Sequence, residues 1–128
     1  MATARTFQDL AVWKLGRSLR RKLYELAKTL PTDERYNLAG QIKAAAISLT
    51  ANIAEGFGRF HYKENVQFCR IARGSACEIQ DHLLTCLDER YITPTVHQEL
   101  DRKLTTFLRT LNAYIKAIGP PKTFPDLK

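Results

Sequence analysis

Three histidines, three cysteines and a scatter of carboxylates are the side chains in this sequence that could hold a metal or move a proton. His61, His82 and His97 fall in different segments. Cys69, Cys77 and Cys86 form no Cys-x-x-Cys pair, and no His/Cys spacing fits zinc. An odd set of thiols inside one helical segment reads as buried and free. Glu55 and Glu78 raise the question of a two-metal bundle, but that site needs Glu-x-x-His pairs on two helices. Glu78 to His82 is a step of four with no counterpart elsewhere. A Gly-rich phosphate loop, a paired-His motif and a Ser elbow are all lacking. These residues predict no enzyme, no metal and no cofactor.

The basic residues offer a different chemistry. The 128 residues hold 20 Lys/Arg against 13 Asp/Glu, a formal charge of +7. Residues 1–32 carry seven of the cations and two acids, so the excess sits near the first helix. Lys14, Arg17, Arg21 and Lys28 fall opposite an apolar seam, with Arg20 and Lys22 on its flanks. Like charges on one face repel unless an anion covers them. The alternative is an ordinary solvated face. We read Lys14, Arg17, Arg20, Arg21 and Lys28 as a nucleic-acid surface, with Arg59 and Lys63 as weaker candidates. No aromatic stacking platform accompanies them, so the contact should be sequence-tolerant. A second polar set, Asn52, Glu55, Arg59, Arg73 and Glu78, reads as structural or interfacial. Glu55 and Arg59 have ion-pair spacing, Asn52 would satisfy backbone groups at a helix crossing, and Arg73 would reach an acid on a neighbouring helix or subunit. A competing role for the basic face is a scaffold docking an acidic protein partner.

Four helices must position these residues. The first, about 9–29, follows a short arm and carries Val12, Gly16, Leu19, Leu23, Leu26 and Leu30 at alternating steps of four and three. Pro31 stops it, and Thr32 or Asp33 should cap a second helix over 33–57. There Leu38, Ile42, Ala45, Leu49, Ile53 and Gly56 share one face, yet Ala44, Ile47, Ala51 and Ala54 make the opposite face apolar too. A helix apolar on both sides predicts a homo-oligomer. Gly56 and Gly58 should end it in the left-handed conformation. The third helix, 62–89, packs through Phe68, Ala72, Ser75, Ile79, Leu83 and Cys86, and its Gly74 should meet Ala44–Ala46 where two backbones come close, or else lie against another chain or a ligand. Thr93 and Pro94 start the fourth helix, 94–118, which packs through Val96, Leu100, Leu104, Phe107, Leu111, Tyr114 and Ile118. The tail, 120–128, should be disordered. Short connectors imply one domain, 1–128, folded as an all-α, up-down-up-down antiparallel four-helix bundle. No apolar run is long enough for a membrane span, and the N-terminus leads into no signal core, which predicts a cytoplasmic protein.

The stretch Gln41…Ser48-Leu49-Thr50-Ala51-Asn52-Ile53-Ala54-Glu55-Gly56-Phe57-Gly58-Arg59, followed by Phe68…Ile71-Ala72-Arg73-Gly74-Ser75-Ala76-Cys77-Glu78, resembles the bacterial four-helix proteins encoded in 23S ribosomal RNA intervening sequences. Phe7-Gln8-Asp9-Leu10-Ala11-Val12-Trp13 and the Leu30-Pro31…Glu34-Arg35 joint match as well. That fold is similar to the accessory proteins of diversity-generating retroelements, which form rings of five, carry basic surfaces, and bind nucleic acid and a reverse transcriptase. The resemblance therefore implies a cyclic homopentamer with an RNA or DNA partner and no enzyme activity.

Overall fold

Hydrophobic residues three and four apart along each segment leave helices as the regular elements. The computed structural model describes residues 4–119 and places α1 at Ala11–Thr29, α2 at Leu38–Gly58, α3 at Tyr62–Asp88 and α4 at Pro94–Ile118. Among the described residues there is no strand. Each helix packs on the next, and α4 closes back onto α1. With short connectors forcing antiparallel neighbours, the arrangement is an up-down-up-down bundle.

The core follows the apolar seams. Val12, Gly16, Leu19, Leu23, Leu26 and Leu30 are all buried on α1, as are Leu38, Ile42, Ala45, Leu49, Ile53 and Gly56 on α2. Cys69, Ala72, Ala76, Ile79, Leu83 and Cys86 of α3 meet Leu100, Leu104, Phe107 and Leu111 of α4 in the same cluster. Full burial of a Leu, Ile or Phe contributes about 1.5–3 kcal/mol, so these stripes dominate the fold. Phe68 and Ser75 are half-buried, and Val96 is exposed at the open end of α4.

The ends of the helices differ from the expectation in several places. Thr6 and Asp9 form a capping box around a short 3-10 turn, Phe7–Asp9, so α1 begins at Ala11. Phe7 meets Trp13 edge to face, with ring centroids 5.2 Å apart, and this pins the start of the chain to the bundle. α2 begins at Leu38, because Thr32–Glu34 form a separate 3-10 turn instead of opening the helix. Glu34 leaves that turn to accept hydrogen bonds from the Tyr91 hydroxyl at 2.8 Å and from Asn37 Nδ2 at 3.0 Å. The Tyr91 bond holds the Glu34 carboxyl below its usual range and pushes the Tyr91 phenol up to about 12. Thr93 caps α4 by accepting from Val96 N at 3.2 Å, with Pro94 in the first turn. The tail expected to be disordered, 120–128, lies outside the described residues.

The glycines are used differently from the expectation. Neither Gly56 nor Gly58 is left-handed; α2 runs through both, and the positive φ falls on Phe60 (55°) in the following turn. Gly74 meets no opposing backbone. It is exposed, and a Cβ built there would find nothing within 4 Å. The hairpin register explains this: Ser75 Oγ donates to Ser48 Oγ at 2.7 Å, which turns Gly74 outward. The close approach lies at Gly56, where a Cβ would fall 2.7 Å from Asn65 Oδ1, 3.0 Å from Phe68 Cβ and 3.1 Å from the Asn65 carbonyl. Gly16 makes a second one, 3.1 Å from both Thr50 Cγ2 and Phe107 Cε1. Cys77, expected to be buried, is exposed beside Gly74's face, while Cys69 and Cys86 are buried. Burial pushes the two buried thiols up to about 11.

These contrasts set opposite signs for one substitution. Gly56→Ala should destabilise the protein by about 1–3 kcal/mol through overpacking against a backbone carbonyl, partly offset by about 1 kcal/mol of helix propensity. Gly74→Ala should stabilise it by about 0.4–1 kcal/mol. Urea midpoints of the two variants read both signs directly.

Candidate nucleic-acid interface

The leucine seam fixes the rotation of α1, and this decides which of its cations reach solvent. Lys14, Arg17, Arg21 and Lys28 are exposed along the side opposite the seam. At 1.5 Å per residue they span about 21 Å of helix. Lys14, Arg17, Arg21 and Lys22 border one shallow depression, with Ser18 and Glu25 between them. The Arg17 guanidinium rests over the Trp13 ring, its carbon 5.8 Å from the centroid. The ion pairs among the described residues involve only Arg59 with Glu55 and Glu64, and His82 with Glu78. Among the described residues none of the α1 cations has a carboxylate within 4.0 Å.

Arg20 belongs elsewhere. It is half-buried, and its Nη1 donates to Thr50 Oγ1 on α2 at 2.7 Å. Thr50, 3% exposed, in turn donates to the Ile47 carbonyl at 3.3 Å. Arg20 thus ties two helices together through Nη1 while it still borders a surface depression with Arg21 and Lys28. The flank position was visible in the sequence, whereas the hydroxyl facing it was not.

The second polar set makes its hydrogen bonds and ion pairs within the chain, with Glu55, Arg59 and Glu78 exposed. Asn52 Nδ2 donates to Ser48 Oγ at 2.7 Å and to the Ser48 carbonyl at 3.0 Å, so it joins the Ser48–Ser75 contact between α2 and α3. Arg59 pairs with Glu55 at 2.9 Å, as its spacing implied, and approaches Glu64 at 3.7 Å. Arg73 reaches an amide, not an acid: its Nη1 donates to Asn112 Oδ1 of α4 at 2.9 Å. Glu78 lies 3.0 Å from His82 Nε2 on its own helix. Among the described residues no group of three or more His, Cys, Asp or Glu side chains is placed to hold a metal ion. No helix among them is long and apolar enough to cross a membrane.

Cations that the sequence did not single out complete the charge map. On α4, Arg102 and Lys103 border a groove against Leu15 and Ser18 of α1, so the basic surface continues past the first helix. α1 carries six Lys/Arg against Glu25 alone, and α4 four against two acids. α2 and α3 together carry four Lys/Arg against five acids. Ile47 of α2 is 47% exposed and shares a depression with Arg20, Arg21, Tyr24, Glu25 and Lys28 of α1, while Ile71 of α3 is 45% exposed.

The fold and surface define a small four-helix protein whose charge is gathered on two adjacent helices. The chain belongs to the 23S rRNA-intervening sequence protein family, whose sequence profile it matches over residues 8–113. Its fold is similar to that of a crystallised protein of unknown function from the S23 ribosomal protein family of Bacteroides thetaiotaomicron. The two superpose with a TM-score of 0.76 over 82% of this chain and 95% of the other, at 22% identity. Among curated proteins none matches this sequence significantly.

The α1 cations should separate by role. Arg20→Ala should destabilise the fold by about 1–3 kcal/mol, since it leaves the buried Thr50 hydroxyl short of a donor. Arg17→Ala and Arg21→Ala should each stay within about 0.5 kcal/mol of the unchanged protein. Thermal melts followed by circular dichroism distinguish the two groups.

Proposed function

We propose that this protein is a non-enzymatic, homo-oligomeric bundle that binds the backbone of RNA or DNA through the basic side of α1. One observation carries the reading: a stripe of exposed Lys and Arg about 21 Å long has, among the described residues, no carboxylate within 4.0 Å of any member. Such a stripe matches a polyanion, whose condensed counterions are released on contact. Membership in a family described by an rRNA intervening sequence favours RNA as that polyanion. The three free thiols fit a reducing compartment such as the cytoplasm. Self-association would use the apolar side of α2, where Ala44, Ile47 and Ala51 are exposed and Ile47 borders the α1 cations Arg21 and Lys28. A ring of five is the arrangement the family resemblance implies. It would repeat the stripe around one assembly and raise the effective concentration of each copy on a long chain.

Four exposed cations set the expected salt dependence. If each neutralises one phosphate, the log–log slope of affinity against salt for a single stripe is about −3 to −4. Arg17→Glu with Arg21→Glu should abolish RNA binding and leave helicity unchanged. Fluorescence anisotropy at several salt concentrations measures both; affinity that survives the double substitution, or ignores salt, eliminates α1 as the phosphate surface. If binding to an acidic protein is lost in the same variant while RNA never binds, the scaffold role replaces this one.

Ile47→Glu tests the assembly. Ile47 is half exposed on the single chain, so the variant should remain folded and scatter light as a monomer where the unchanged protein scatters as an oligomer. A monomeric unchanged protein at micromolar concentration would remove the oligomer from the proposal.

A further inference from the structure

Lys43 is the single charged residue between Tyr36 and Ala54, on a helix otherwise built of small and apolar side chains. A lone cation on such a helix needs an account, and the packing supplies one. Lys43 does not project alone into solvent. Its ammonium lies over the Tyr24 ring of α1, 5.8 Å from the centroid. There it borders a depression of about 280 Å³ in the angle where α1 ends and α2 begins. Lys28 and Arg35 line the same depression, with the Thr32 side chain at its edge and Ala27 and Ala39 among the other walls.

Three cations and no acid line this space. Among the described residues none of the three has a carboxylate within 4.0 Å. Lys43 and Arg35 rest on aromatic faces instead; the Arg35 guanidinium carbon is 5.3 Å from the Tyr36 centroid. Glu34, next to Arg35 in sequence, does not line this space and accepts hydrogen bonds from Tyr91, Asn37 and the Leu38 amide. α2 also starts here with no acid in its first turn and no side-chain cap from Asn37. The Glu34 carboxylate meets its positive pole at the Leu38 amide, so the field of the depression comes from its three cations. Like charges gathered in a concave site focus potential toward an anion. A guanidinium, two ammonium groups and a hydroxyl are donors suited to phosphate oxygens.

We propose that the α1–α2 joint is a phosphate-binding pocket formed by Lys28, Arg35 and Lys43. It deepens the α1 reading, because Lys28 is shared between the stripe and the pocket, but it rests on its own concavity and two further cations. The group bound is a phosphate, supplied either by the end of a nucleic acid or by its backbone. On an exposed stripe each phosphate is held from one side; in the pocket it is held by residues from α1, the connector and α2.

Calorimetric titration of the full chain with inorganic pyrophosphate tests the pocket directly. Saturable binding at about one site per chain is expected. Lys43→Gln and Arg35→Gln should each weaken it about tenfold or more, the loss of one charge-assisted contact. Lys43→Arg should restore most of it, and melting curves check that each variant folds. A 5′-phosphorylated RNA oligonucleotide that binds more tightly than its 5′-hydroxyl twin, with the difference erased in Lys43→Gln, assigns the pocket to a chain end. Equal binding of the two, weakened together by Lys43→Gln, assigns it to the backbone. Absent pyrophosphate binding, or an affinity the same in both Gln variants as in the unchanged protein, overturns the pocket whatever the RNA result. RNA affinity that survives Arg17→Glu with Arg21→Glu overturns the α1 stripe whatever pyrophosphate does.

Discussion

The distance at which α2 sits from its two neighbours controls the rest of the molecule. At Gly56 that distance leaves no room for a methyl group, and one of the obstructing atoms is a backbone carbonyl that cannot rotate away. At Gly16, α1 comes equally close to Thr50 of α2 and Phe107 of α4. Short spacing brings polar groups within bonding range across the helix pairs. Ser48, Asn52 and Ser75 join α2 to α3, and Arg20 joins Thr50 to α1. Directional bonds of this kind fix rotation and register more tightly than apolar contact alone, because hydrophobic attraction has no preferred direction.

Fixed rotation is what sorts the surface. Once the leucines of α1 face inward, its cations have only the outer side available, and the same holds on a smaller scale for Arg102 on α4. With Leu49 and Ile53 turned into the core, Ile47 and Ala51 must face out. The charged side and the apolar side are thus consequences of one packing solution. The two meet along the α1–α2 groove, where Ile47 borders Arg21 and Lys28, so a second copy seated on Ile47 would lie next to the cations.

The parts of this structure that repeat along a single helix were legible in the sequence. The leucine rhythm of α1, the two-sided apolarity of α2, the Thr93–Pro94 start of α4 and the Glu55–Arg59 pair all depend on spacing within one element. What depends on two elements was not. The sequence pointed to Gly74 as the close crossing and to Gly56 as a helix end, whereas the Ser48–Ser75 contact turns Gly74 outward and Gly56 is the one that meets α3. Arg20 sits at the edge of a basic face on any helical projection, but its fate turns on the hydroxyl that α2 places opposite. Lys43 stood out as an isolated charge. Its meeting with Lys28 and Arg35 follows from the path of residues 30–37, where a 3-10 turn replaced the expected start of α2. Thr32 and Asp33 are good capping residues, and Glu34's bond to Tyr91, fifty-seven residues away, was invisible to local rules.

The unequal burial of the three cysteines gives the protein a built-in chemical address. A thiol must be both reachable and ionised to react, and Cys69 and Cys86 fail on both counts: they are enclosed, and burial raises the pH at which they lose a proton. Cys77 stands on the outer surface of α3, the helix across the bundle from α1. A mild alkylating reagent would therefore mark each chain once, on the side away from the cations of α1. A dye or spin probe attached there would leave that surface unmodified, and in an assembly it would measure the spacing between copies without any residue being replaced.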